Sequence, residues 1–170
     1  MGEIRTATTA DLARVEEIYA IAQRFMVAPG NPNQWGPGFP GRRALEGDVA
    51  IGALRVWVGA DGVPVGCFAL LEGPDPTYAR IYDGFWIDDG PYLVVHRFAA
   101  AVQGRGVGSA MMDWALARAR ERGLALRVDT HRDNGPMQGL IRSRGFSYCG
   151  VIHLADGSER IAFCRPYIRP

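Results

Sequence analysis

Lysine is absent: all nineteen basic side chains in the 170 residues are arginine. That removes Schiff-base catalysis and the lysine-dependent phosphate loop of nucleoside triphosphatases. A genome-wide codon bias is the simplest origin of the gap. An excess of either charge is also missing. Nineteen basic groups face eighteen acidic ones, for a formal net charge of +1. Nothing in bulk would hold nucleic acid or an anionic membrane. Cysteine is scarce. Cys67, Cys149 and Cys164 are too few and too scattered for a disulfide framework, and they match no zinc spacing. No metal is expected, and a reducing, cytoplasmic setting is the default. No apolar run is long enough to cross a bilayer, and the first residues are polar, without a signal-peptide core. They do fit the loose myristoylation pattern through Gly2 and Thr6, but no basic cluster or second lipid site supports it.

What is present is ordinary for a globular protein: 48% hydrophobic and 22% charged residues. The length suits a single domain over residues 1–170, with a core at about 4–167. Residues 4–7 read as a short strand. Thr8 or Thr9 then caps a helix over 10–26, whose apolar face is Leu12, Val15, Ile18, Tyr19, Ala22, Phe25 and Met26. Residues 29–40 hold too much Pro and Gly for a regular element and form a long loop carrying two exposed aromatics, Trp35 and Phe39. A short helix over 42–48 precedes strands over 54–59 and 63–71, joined at Asp61-Gly62. Residues 83–90 are irregular and include Phe85 and Trp86. Beyond them the pattern gives a strand (92–98), a helix (108–122), a strand (125–130), a helix (136–144) and a final hairpin (147–154, 160–167). The fold class is α+β: a mixed, mostly antiparallel central sheet with helices on both faces and one strand–helix–strand crossover near its centre.

The chemistry-bearing stretch is Gln103-Gly104-Arg105-Gly106-Val107-Gly108-Ser109, between a strand and a helix. Alternate glycines allow positive φ and close approach of a ligand. The helix start offers unpaired N–H groups and a partial positive charge. Gln103 and Arg105 add donors. Together they suit a pyrophosphate. A dinucleotide fingerprint is one reading: Gly104 and Gly106 fit its first two positions, but its third falls on Ser109, and Asp129 lies where the ribose acid would be. Only about sixty residues follow the loop, too few for the remaining units of that fold.

Gln103-x-x-Gly106-x-Gly108 after a strand resembles the acetyl-coenzyme A loop of the GNAT superfamily of N-acetyltransferases. Asp133-Asn134, Met137, Leu140 and Gly145-Phe146 are similar to that family's D-N-x-x-A-x-x-L-Y-x-x-x-G-F segment. The order of elements agrees from Ile4 to Tyr167. The resemblance implies that backbone groups of Phe98 and Ala99, at the end of their strand, pair with the pantetheine arm like an added strand. It also implies that the backbone of residues 105–109 holds the diphosphate, and that Asn134 and Met137 line the coenzyme. The strands over 92–98 and 125–130 would splay apart around the thioester. One position departs from the family: Ile141 stands where a tyrosine often protonates the leaving thiolate.

An acceptor amine with a pKa of about 10 is on the order of a thousandth free at neutral pH, so attack needs a base or a desolvating pocket. His96, on the strand beside the thioester, and His131, flanked by Asp129 and Asp133, are the candidate bases. Tyr148 is the candidate acid. Trp35, Glu72, Asp83 and Trp86 are candidate acceptor contacts, the aromatics suiting an apolar or aromatic body. The expected activity is transfer of an acetyl group from acetyl-CoA to a primary amine of a small molecule or peptide, by an enzyme that can form homodimers. A coenzyme A-binding sensor without turnover and a nicotinamide nucleotide-binding domain are the alternatives.

Overall fold

The computed structural model describes residues 2–169. The order along the chain is β1 (Glu3–Thr6), α1 (Leu12–Val27), α2 (Arg42–Ala50), β2 (Leu54–Val58), β3 (Pro64–Glu72), β4 (Tyr92–Ala100), α3 (Val107–Glu121), β5 (Ala125–Thr130), α4 (Gly135–Ser143), β6 (Ser147–His153) and β7 (Glu159–Arg165). The strands form a seven-stranded sheet in the order β1-β2-β3-β4-β5-β7-β6. β4 and β5 run parallel, while the β1–β2, β2–β3, β5–β7 and β6–β7 pairs are antiparallel. By compactness the chain divides into two units. One holds the residues up to Leu70 with His96–Trp114; the other holds Leu71–Val95 and the residues from Ala115 onward.

In the first unit, α1 buries Leu12, Val15, Ile18, Tyr19 and Ala22, the expected helical stripe. They pack with Leu45 of α2 and with Leu54, Val56, Val58, Cys67 and Ala99 of the strands. The helix starts two residues later than its apolar pattern suggests, after a 3-10 turn over Thr9–Asp11. There the Asp11 carboxylate accepts the Thr8 N–H at 2.8 Å and two guanidinium hydrogen bonds from Arg5, each 2.8 Å. Trp35 and Phe39 are half-buried, not exposed as expected. They stack at 4.8 Å and both meet Tyr19 edge-on, because a loop poor in backbone pairing gains by covering an apolar ring. On the sheet, a Cβ at Gly66 would lie 2.8 Å from both Val107 Cγ1 and Met111 Sδ. The missing side chain lets α3 seat directly on β3.

In the second unit the parallel register runs from Tyr92↔Ala125 to Val95↔Val128. Residues 73–91 lack long elements yet are firmly anchored. The buried Tyr78 donates its hydroxyl to Asp129 Oδ1 at 2.6 Å, and Trp86 donates its indole N–H to the Tyr78 carbonyl at 3.0 Å. The Arg127 guanidinium lies between the Trp86 and Tyr92 rings, 4.0 and 3.8 Å from their centroids, and donates to the Asp88 carbonyl at 2.6 Å. Tyr82 exchanges two backbone hydrogen bonds of 2.8 Å with Val151. Gly84 presses so closely on β6 that a Cβ there would lie 2.1 Å from the Cys149 carbonyl oxygen. Among the described residues no helix is long and apolar enough to cross a membrane.

Candidate active site

β4 continues to Ala100, so Phe98 and Ala99 lie inside the strand and not at its end. The chain then turns, with Ala101 N–H donating to the Val65 carbonyl at 2.8 Å. Gly104 and Gly106 take φ of 70° and 74°, conformations that residues with a side chain rarely adopt. A Cβ on either would meet nothing within 4 Å, so the glycine face of this loop looks onto open space. Val107 is buried against Gly66 and fixes where α3 begins. The Ala110 N–H reaches back to the Gly106 carbonyl at 2.9 Å. The amides before it, at Val107, Gly108 and Ser109, have no preceding turn to donate to. Gln103 and Arg105 are exposed beside them. Donor-rich backbone, a helix start and open space suit a diphosphate on physical grounds.

The same unit contains His96, half-buried in β4, and next to it Arg97 with φ of 53°. Two side chains from elsewhere reach Arg97. The Tyr19 hydroxyl donates to its carbonyl at 2.8 Å, and its guanidinium donates to Asp48 at 2.9 and 2.6 Å. The Phe98 ring packs on Phe68, 5.8 Å between centroids. Arg97 and Asp48 had no part in the sequence reading. The one available signal was an arginine inside the apolar run Tyr92 to Ala100.

In the second unit, His131 follows β5. Burial and the Arg160 charge push its pKa below the usual histidine range, which Asp133 offsets in part. Its Nδ1 accepts the Asp133 N–H at 3.2 Å, so the neutral ring carries its proton on Nε2. Asn134 caps α4, its Oδ1 accepting the Met137 N–H at 3.0 Å. Tyr148 is half-exposed and meets Phe163 edge-on. Glu72 pairs with Arg122 at 2.6 Å. Asp83 is exposed, with φ of 53°. Trp86 is taken up by Tyr78 and Arg127. Tyr78 was missed in the sequence; burial and the neighbouring Asp129 raise its pKa well above the ordinary phenol value.

The model of the Acetyltransferase (GNAT) family matches residues 16–146. The chain belongs to the GNAT acetyltransferase family. A GNAT-family acetyltransferase from Streptococcus agalactiae is 28% identical, with 99% of this chain and 96% of that chain covered and a TM-score of 0.82. The ribosomal-protein-S18-alanine N-acetyltransferase of Escherichia coli shares the fold at 15% identity, covering 100% of this chain and 96% of that chain, with a TM-score of 0.67. So does the NatC complex bound to Gag peptide and CoA, at 12% identity, covering 98% of this chain and 99% of that chain, with a TM-score of 0.62. A comparison with curated proteins gives no match. As a GNAT member the chain is an acetyltransferase, which displaces both alternatives, the sensor without turnover and the nicotinamide domain. The family's segment over 133–146 falls on α4. Ile141, in place of the frequent tyrosine, is fully buried in this GNAT chain and has no proton to give.

Proposed function

We propose that this GNAT enzyme transfers the acetyl group of acetyl-coenzyme A to a primary amine by direct attack while both substrates are bound. The observation that carries the reading is the loop over 103–109, whose left-handed glycines face open space at the start of α3. The backbone of residues 104–109 and the side chains of Gln103 and Arg105 would hold the diphosphate. Phe98 and Ala99 would pair with the pantetheine arm. Asn134, whose Oδ1 accepts the Met137 N–H, and Met137 would line the coenzyme. The three cysteines argue against an acyl-enzyme. All are buried, and burial pushes the thiols up, to about 12 for Cys67 and Cys164.

In the step itself the amine nitrogen bonds to the thioester carbonyl carbon, the C–S bond breaks, and coenzyme A leaves as thiolate. The amine proton goes to a base. His96 is assigned that role, because it lies in β4 two residues before Phe98, to which the pantetheine arm is assigned. Tyr148 is the acid candidate; a thiol that titrates near roughly 8.5 also leaves unaided. On the acceptor side, Glu72, Trp86 and Trp35 have partners already, which leaves Asp83 as the stronger candidate. Thermal unfolding with coenzyme A tests the reading. At about a hundredfold over Kd, binding adds about 2.7 kcal/mol of stability. Gly106→Glu, which puts a carboxylate into the anion site on a left-handed residue, is expected to abolish it. Thiol release across a panel of amines identifies the acceptor. His96→Ala is expected to abolish most turnover and His131→Ala to spare it; the reverse would exchange their roles.

A further inference from the structure

We infer that Tyr19 and Asp48 are positioning residues. They hold β4 bent at Arg97 and so fix the backbone of Phe98 and Ala99, to which the proposed function assigns the pantetheine arm. The inference rests on that reading. Arg97 is left-handed in the interior of a strand, where an arginine has no intrinsic reason to be. Such a residue persists only where its surroundings over-determine it, and such residues gather at ligand sites. The surroundings do so here from two directions. Tyr19 of α1, almost wholly buried, grips the Arg97 carbonyl, and Asp48 of α2, also buried, grips the Nε–Nη2 edge of its guanidinium through two hydrogen bonds. Main chain and side chain of one residue are therefore each tied to a different helix.

The bend sits at a change in β4. The parallel ladder with β5 ends at Val95, two residues before Arg97. Phe98 follows at once, its ring held on Phe68, and Ala99 is buried in the core below. With Arg97 in an extended conformation, the peptide groups after it would turn to other directions, and the arm would meet a different pattern of N–H and C=O groups. Tyr19 also carries the edge contacts to Trp35 and Phe39. A phenylalanine there would keep those contacts and lose the hydroxyl's hydrogen bond to β4 together with its contact to the Cys67 thiol.

The test measures calorimetric affinity for two probes: coenzyme A, and its nucleotide end cut before the pantetheine arm (a phosphorylated adenosine diphosphate). Tyr19→Phe and Asp48→Ala are each expected to weaken coenzyme A by about tenfold while leaving the nucleotide end unchanged, since only the arm is misplaced. The double variant Asp48→Ala/Arg97→Gly is expected to recover coenzyme A affinity to within about threefold. Glycine adopts the left-handed bend without restraint, and no unpaired partner remains. Unfolding midpoints confirm that binding is read on folded protein; Tyr19→Phe, nearly isosteric, serves if Asp48→Ala does not fold. Unchanged coenzyme A affinity, equal loss for both probes, or no recovery in the double variant would each overturn the positioning role. Wild-type protein that binds neither probe would instead overturn the proposed function, and this inference with it.

Discussion

Arg97 of β4 and Arg127 of β5 solve the same problem in opposite ways. Each must seat a guanidinium that packing takes out of water. Arg97 keeps part of its side chain exposed and meets a carboxylate, bidentate, from a helix. Arg127 is 4% exposed and meets no carboxylate in its pairings with Trp86, Tyr92 and the Asp88 carbonyl. A carboxylate fixes direction, because two parallel hydrogen bonds leave a planar group little freedom. Two ring faces fix position and tolerate rotation. The first arrangement suits holding a backbone angle, and the second suits clamping residues 73–91 onto the strands.

The largest effect should come from Arg127→Ala. It opens a gap between two rings and leaves the Asp88 carbonyl without its donor. We expect a loss of about 3 kcal/mol in urea unfolding, together with early proteolysis within residues 73–91. Asp48→Ala should cost less, about 1–2 kcal/mol, because the partly exposed Arg97 can turn to water. If both variants lose only stability, and Asp48→Ala leaves coenzyme A affinity alone, the contrast between the two arginines fails. A third arginine sharpens it. Arg5 lies on the surface side of its pair and holds the Asp11 carboxylate down to about 2, mainly through its hydrogen bonds. Since this folded pKa is below the unfolded one, the stabilisation is present above about pH 4 and lost as pH falls toward 2. Partial exposure of Arg5 limits it to about 1 kcal/mol. Acid unfolding of Arg5→Met against wild type reads the difference. The smallest effect is at His131. Its folded pKa is lowered, so the unfolded state binds its proton first and stability declines as pH drops below about 6.5. His131→Asn should flatten that decline slightly.

These contrasts also mark how far the residue order could be followed. The loop over 103–109 was legible because its properties are local: glycines at alternate positions, a strand before, a helix after. β5 was placed to the residue, since an apolar run bounded by Gly123 and His131 leaves little choice. Arg97 was not legible. Its left-handed angle depends on Tyr19 and Asp48, dozens of positions away, and no short pattern encodes that meeting. The packing of Trp86 was not legible for a similar reason. Its neighbours suggest a surface loop, and only the fold brings Arg127 beneath its ring. Trp35 and Phe39 looked exposed because the proline and glycine around them carry no sign of Tyr19.

The two backbone hydrogen bonds between Tyr82 and Val151 lie along β6, the last strand of the sheet. An outermost strand is where one molecule can template another, and here part of that border is already occupied from within the chain. The fastening of residues 73–91 therefore guards solubility as well as shape. A lesion at Arg127 would show itself first as self-association at high protein concentration, before any loss of the folded signal.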